Sequence, residues 1–379
     1  MSWPMVSIES VAKVITGKTP PKADSNCFGG NIPFITPSEL TDSDYLLKPD
    51  TTLTEKGLAT TKLIPKNSIL VCCIGSLGKM AMADLPVATN QQINSVIFDE
   101  DKIYYRFGFY ALKLLKNELK NIAPSTTVAI VNKSRFSELK IPRPPLEEQR
   151  RIAGILDKAS GIRQKREQAV KLGDDFLRAT FLDMFGDPVA NKKKWPLRKL
   201  NDICNNVIDC PHSTPKWVDN GTICIRTSNL SKGGWVWSDK RFVSDETYLE
   251  RTKRSVVDEG DIILSREGTV GVAAIVPENL KLCLGQRLVQ LKLDKNQVIP
   301  EYLLSFLLYE LDPVRISRVM SGSTSKHINV SELKQLNVML PSMEEQKLFA
   351  KIRNKIIKIS TKSNADNFLF EALSSQLLS

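Results

Sequence analysis

Two stretches of this chain carry residues in register at alternating steps of three and four. Ile152, Ile155, Ala159, Ile162, Arg166, Ala169, Gly173, Phe176 and Thr180 form the first series. Phe349, Ile352, Ile356, Ile359, Ser363, Asp366, Phe370, Leu373 and Leu377 form the second. No proline interrupts either stretch from Leu146 or Met343 for over thirty residues. A step averaging about 3.5 residues is the seam of a left-handed coiled coil. The pattern therefore predicts long helices over 146–185 and 342–379, packed on each other and antiparallel; two amphipathic helices, each lying on its own domain, are the simpler alternative. Arg166, Ala169, Gly173, Ser363 and Asp366 weaken the middle of both seams and leave room there for a partner. The remaining sequence has another texture. Short β-rich runs (68–74, 93–98, 262–265, 288–293) alternate with Gly, Pro and Asn, as in compact mixed α/β domains.

The texture repeats. Trp3-Pro4 returns as Trp195-Pro196, and the run Ile32 to Leu40 as Thr222 to Leu230. The run Ser68 to Gly78 returns as Asp261 to Gly271, and Pro144-Pro-Leu-Glu-Glu-Gln149 as Pro341-Ser-Met-Glu-Glu-Gln346. The offset grows from 190 to 197 residues along the chain, as loop insertions between homologous domains produce. The two seams superpose at the same final offset. The predicted fold is α+β: mixed α/β domains at 1–145 and 195–341 in tandem repeat, alternating with long helices at 146–185 and 342–379, and a linker at 186–194.

The 379 residues suit two domains better than one. Lys and Arg outnumber Asp and Glu by 53 to 42, which favours a polyanionic partner without requiring one. The seven cysteines contain no C-x-x-C pair, and no apolar run reaches the roughly 18 residues of a membrane span. Reduced thiols in a cytoplasmic protein, away from membranes, are the expectation.

Catalytic chemistry finds little support. Histidine is confined to His212 and His327, which disfavours metal sites and general-base catalysis. Cys204, Cys210 and His212 are too few and irregular for zinc and read as buried or loop residues. Gly75-Ser-Leu-Gly-Lys79 lacks the four-residue gap of a phosphate-cradling loop. It reads as a Gly-bounded turn bringing Lys79 to a polyanion, or as an ordinary surface hairpin. Glu147-Glu148 and Glu344-Glu345 follow prolines and open helices, where carboxylates cap free N–H groups; they are not an acid/base dyad. No Asn-Pro-Pro-Tyr/Phe adenine-methylation motif and no Gly-rich dinucleotide fingerprint occurs. No catalytic and no metal-binding residue is expected.

The start Pro144 to Ala153, the long helix, and the Phe-Leu-Asp-Met-Phe-Gly-Asp-Pro end (Phe181 to Pro188) resemble the central region of Type I restriction–modification specificity subunits. The Ile-Pro-Phe-Ile-Thr-Pro, Gly-Ser-Leu-Gly-Lys and Asn-Gln-Gln segments resemble their target-recognition domains. The resemblance covers the whole chain, with domain order its most specific part. Two departures stand out: the second helix lacks the Phe-Gly-Asp-Pro end, and Gly285-Gln286-Arg287 stands where the first half has Asn90-Gln91-Gln92. The resemblance implies a non-catalytic DNA-reading subunit of a phage-defence system. It would bind a bipartite duplex target with an unread spacer and recruit two methyltransferase subunits, and in some systems restriction–translocase subunits. S-adenosylmethionine and ATP would be bound by those partners, leaving no cofactor in this chain.

Reading bases requires amides, guanidinium groups and hydroxyls on scaffolded loops. In the first half, Lys18, Thr19, Thr36, Ser38, Ser76, Lys79, Asn90, Gln91, Gln92, Ser125, Thr126 and Thr127 supply them. In the second half, Ser213, Thr214, Arg226, Ser228, Asn229, Arg266, Thr269, Gln286, Arg287, Ser323, Thr324 and Lys326 do. Turn chemistry and helix capping compete for each of these residues, and the basic ones are better suited to phosphates than to bases. Helices of about 35 residues would hold the two readers roughly 50 Å apart, more than one turn of B-DNA, roughly 34–36 Å. The rival is a scaffold protein whose repeated domains bind protein, its basic charge incidental.

Overall fold

The computed structural model describes residues 3–42, 44–123, 129–267, 270–312, 315, 328–361 and 365–378. It contains two compact units, residues 1–166 with 363–379, and residues 167–362. One division falls inside the helix Leu146–Phe185 and the other between the helices Met343–Thr361 and Ala365–Leu378, so each unit holds one mixed domain, the start of that domain's own helical stretch and the end of the other.

In the first unit, β1 (Ala12–Thr16), β2 (Phe28–Ile35), β3 (Thr52–Leu53), β4 (Ile69–Cys72), β5 (Met80–Met82), β6 (Ala88–Thr89) and β7 (Ile93–Phe98) form two sheets. One is antiparallel in the order β1-β7-β4-β5; the other is β3-β2-β6, with β2 parallel to β6. The run Ile69–Cys72 is buried on both faces, which its four consecutive apolar residues require. Helix α1 (Tyr105–Leu114) covers the four-stranded sheet with Phe107, Phe109 and Tyr110. Helix α2 (Leu146–Phe185) follows, and its Ile152, Ala153 and Leu156 join the same core together with Leu378 from the chain's end.

The second unit repeats the design. Strands β8 (Cys204–Asp209), β9 (Thr222–Ile225), β10 (Phe242–Val243), β11 (Ile262–Ser265), β12 (Ala273–Ile275), β13 (Leu282–Leu284) and β14 (Leu288–Leu293) form sheets ordered β8-β14-β11-β12 and β10-β9-β13. The strand order matches the first unit, and β9 is again parallel to β13. Helix α3 (Pro300–Glu310) takes the place of α1, and α4 (Met343–Thr361) and α5 (Ala365–Leu378) end the chain. Each domain is closed by a pairing of its two ends: Met5–Ser7 with Lys140–Pro142, and Leu197–Lys199 with Asn337–Met339.

The repeated Glu-Glu-Gln motif owes its recurrence chiefly to the glutamine. Gln149 is fully buried; its amide donates to Pro144 O (2.8 Å) and Lys102 O (3.0 Å) and accepts from Tyr104 N (2.8 Å). Gln346 makes the equivalent set with Pro341 O (2.9 Å), Gln297 O (3.2 Å) and Ile299 N (2.9 Å). The glutamates divide the capping task unequally. Glu345 accepts from Ser342 N and Ser342 Oγ, a capping arrangement, whereas Glu148 pairs with Arg151 three residues on.

The long helices keep their predicted period but not their predicted face. On α2 the residues that bury are Gln149, Ile152, Ala153, Leu156 and Ser160, then Phe181 and Phe185, while Ile162 and Phe176 are each 52% exposed. The stripe is turned by about one residue from the predicted seam because the globular cores hold the ends of the helix, and the polar middle imposes no register of its own. Phe181 and Phe185 interleave with Tyr302 and Phe349, with ring centroids 4.9–5.8 Å apart. In that unit α4 runs against α2: Phe349 meets Phe181 and Phe185, while Arg353 and Ile357 share a cavity with Asp174 and Arg178. After Gly186, at φ +81°, Asp187 accepts from Val189 N (2.8 Å) and Tyr309 OH (2.9 Å) and pairs with Arg315 (2.9 Å). This is the structural content of the Phe-Gly-Asp-Pro end.

Candidate nucleic-acid interface

In the first unit the candidate residues converge on the C-terminal end of β2. Lys18 N donates to Thr89 O (2.9 Å) and Asn90 N to Ile35 O (3.1 Å), which laces the segments after β1 and β6 to β2. Gly17 lies at the crossing. A Cβ there would stand 2.2 Å from Thr89 O and 2.4 Å from Asn90 O, so the close approach requires glycine. Thr19 Oγ1 donates to Gln91 Oε1 (2.7 Å), and the Thr36 and Ser38 hydroxyls both donate to the Glu39 carboxylate (2.8 and 2.7 Å). Lys79 Nζ reaches Pro37 O (2.7 Å), bringing the Gly75–Lys79 turn to the same place. Lys18, Ser38, Ser76 and Gln91 are exposed, while Thr19, Thr36, Lys79 and Gln92 are half-buried. Asn90 is buried, and its amide bridges Gln92 at both ends (2.9 and 3.1 Å), shaping the turn that presents Gln91.

The second unit builds the same corner with other side chains. Gly285 N donates to Ile225 O (2.7 Å), as Asn90 N does to Ile35 O. The segment after β8 is fastened by buried Arg251, which donates to Leu284 O (2.7 Å), Ser213 O (3.2 Å) and Pro211 O (3.3 Å). Arg266 is buried 3.1 Å from Asp209, and its Nη2 lies 3.4 Å from His212 Nδ1. His212 Nε2 faces Asp209 at 3.1 Å. Gln286 donates to His212 O. Ser213, Thr214, Ser228 and Arg287 are exposed, and Arg226 is half-buried and paired with Asp239. Asn229 is buried: its amide accepts from Arg226 N (3.0 Å) and donates to Val236 O (3.2 Å) and Asp239 O (2.9 Å), so it builds the turn. Ser125, Thr126, Thr127, Thr269, Ser323, Thr324 and Lys326 lie outside the described residues.

Sequence reasoning overlooked an aromatic–cationic group beside this corner. Trp217 has Arg241 over its ring (5.4 Å) and Arg226 nearby (6.0 Å). Trp235 and Trp237 stack at 5.1 Å, with Lys240 over Trp237 at 5.6 Å. The available signal was three of the five tryptophans within 21 residues, next to Lys240-Arg241. All seven cysteines are buried and free, and burial pushes the Cys73 and Cys204 thiols up to about 12. Among the described residues no cluster of His, Cys, Asp and Glu could hold a metal ion, and no helix is long and apolar enough to cross a membrane.

A sequence profile of the Type I restriction modification DNA specificity domain matches residues 2–172 and again 192–367. The chain belongs to this family. Its relatives among Type I specificity subunits include the MjaVIII specificity subunit of Methanocaldococcus jannaschii, 25% identical over 371 residues, covering 92% of this chain and 84% of the relative. The EcoBI specificity subunit of Escherichia coli is 22% identical over 372 residues, covering 91% and 77%. The crystal structure of the S subunit from M. genitalium shares the fold, with a TM-score of 0.58 at 17% identity, over 100% of this chain and 96% of that one. As in the Type I specificity family, the chain carries two target-recognition domains, and the two matched segments correspond to the two halves of the repeat.

Proposed function

We propose that this subunit reads a bipartite duplex DNA target, one half-site per mixed domain, and holds two methyltransferase subunits on it without any catalytic centre of its own. The observation that carries the reading is the repeated corner. Both domains bring hydrogen-bonding side chains to the end of the same central strand, β2 or β9, by the same backbone bond, Asn90 N to Ile35 O or Gly285 N to Ile225 O. A common frame with different side chains is what reading two different half-sites requires. The exposed apolar residues Leu172 and Phe176 on α2 offer a methyltransferase subunit something to bury. S-adenosylmethionine is then bound by that partner, and ATP by a restriction–translocase subunit where the system has one.

The test uses labelled S-adenosylmethionine and a DNA library. The purified chain alone should transfer no methyl group; together with its cognate methyltransferase it should methylate one split motif. Transfer by the single chain, or methylation without sequence preference, would sink the proposal. A salt series separates DNA reading from a protein scaffold: binding should fall steeply with log salt, as phosphate contacts require.

A further inference from the structure

Around β2 and β9 the two domains align through hydrogen-bond register. Phe34 N donates to Thr51 O (3.1 Å) in the first domain, and Cys224 N donates to Arg241 O (2.9 Å) in the second. The pairs Pro33–Thr52 and Ile223–Phe242 stand at the adjacent rung. Thr51 therefore occupies the place of Arg241, and Thr36, one residue past β2, the place of Arg226, one residue past β9. In the first domain these threonines line an open cavity of about 570 Å³ whose wall includes Phe28 and Phe34. In the second domain the same place holds two arginines gathered around one indole.

Resting on the DNA-reading function above, we propose that Arg241, laid on Trp217, reads a guanine in the second half-site. Three observations carry this. First, both residues have backbones fixed by strand pairing: Arg241 O accepts from β9, and Val218, next to Trp217, pairs with Phe242 through a 3.0 Å bond. Second, the neighbouring charges are already allotted. Asp239 is paired with Arg226 and lies 3.9 Å from Arg241, so Arg226 is neutralised while Arg241 keeps most of its donors and is 47% exposed. The Arg226 guanidinium correspondingly holds the Asp239 carboxyl below the usual carboxylate range. Third, a guanidinium resting on an aromatic face keeps its in-plane donor edge open, and that fork matches guanine O6 and N7. Trp217 is then a positioning residue. The first domain, with Thr51 and Thr36 around a cavity, offers no such fork at this place and reads its half-site by other groups.

The experiment maps methylated motifs produced by the full-length chain with its cognate methyltransferase. The wild-type pair must give a split motif; if it gives none, the DNA-reading function itself fails, separately from this inference. Given that motif, Arg241→Thr, which installs the first domain's residue, should relax one guanine of the second half-site by about 10- to 100-fold and leave the first half-site intact. Arg241→Lys keeps the charge without the fork and should relax the same position. Trp217→Phe should preserve the motif, and Trp217→Leu should loosen the same guanine. The opposite result is equally readable. If Arg241→Lys restores the wild-type motif, or Arg241→Thr weakens all sequences alike and lowers the salt slope by about one, Arg241 is a phosphate anchor and the inference is wrong. An unchanged motif in folded Arg241→Thr overturns it as well.

Discussion

At Gly17 two segments approach so closely that a methyl group would sit 2.2 Å from a carbonyl oxygen. Gly17→Ala should therefore force β1 and β6 apart at the corner carrying Thr19, Thr36 and Gln91. We expect a loss of about 1–3 kcal/mol in stability, as overpacking produces, and degraded reading of the first half-site alone, measured by thermal melting and motif mapping. Wild-type reading of the first half-site would show that the corner is not the reader. Asp187 supports a pH prediction. Arg315 and Tyr309 hold its carboxyl down to about 2, below the ordinary 3.8. A depressed carboxylate contributes stability above its unfolded value and loses it as pH falls through the folded value, here between about 4 and 2. The Asp187 side chain is 38% exposed, so screening limits the contribution to about 1 kcal/mol. Asp187→Asn should flatten that part of the acid-unfolding curve, and an identical acid limb in the variant would refute the assignment. At this scale the sequence was partly legible. The fold gathers many of the candidate amides and hydroxyls at one corner, but a local pattern does not distinguish Asn90 and Asn229, absorbed in building turns, from Gln91, which is exposed. Trp217 and Arg241 meet through the pairing of Val218 with Phe242, which no short motif records.

The elements were more legible than their faces. The prolines before Leu146 and Met343 and the unbroken helical periodicity locate both helical starts, and the four-part repeat locates both domains. What the period could not supply was the orientation of α2, because apolar residues fix a helix only where something apolar faces them. The cores do so at Leu156 and at Phe181, and between them Ile162 and Phe176 remain exposed. The domain-to-helix ties also differ in kind: Arg106 binds Asp157 of α2 (3.1 Å), whereas at the matching place Asn354 of α4 binds Glu301 (2.9 Å). The glutamines do not differ. Each replaces three main-chain partners where strand, connection and helix meet, so removal leaves two carbonyls and one N–H unpaired. Gln149→Ala and Gln346→Ala should each cost about 2–4 kcal/mol, and the two losses should add, since they share no partner. Denaturant melts of the single and double variants measure this. A cost under about 0.5 kcal/mol for either would show that water replaces the amide.

Helix α2 belongs to both units and runs without interruption for 40 residues, about 60 Å at 1.5 Å per residue. If it is the ruler of the bipartite target, its length sets the unread spacer. Inserting four residues after Ala169 lengthens it by about 6 Å. Duplex DNA rises about 3.4 Å per base pair, so the preferred spacer should grow by one or two base pairs with both half-sites unchanged. Four residues make a stutter, which locally unwinds a supercoil without reversing the buried face. The site tolerates it, because Ala169 is exposed and Gly173 has no side chain to misplace. A two-residue insertion rotates the C-terminal part of the helix by about 200° and would turn Phe181 and Phe185 away from the core they share with Tyr302 and Phe349. That variant should lose stability rather than change its spacer. The measurement is methylation, by the full chain with its methyltransferase, of a library in which only the spacer length varies. A folded four-residue variant that keeps the original optimum would show that α2 does not set the spacing. The separation of the half-sites would then have to come from the reading domains themselves.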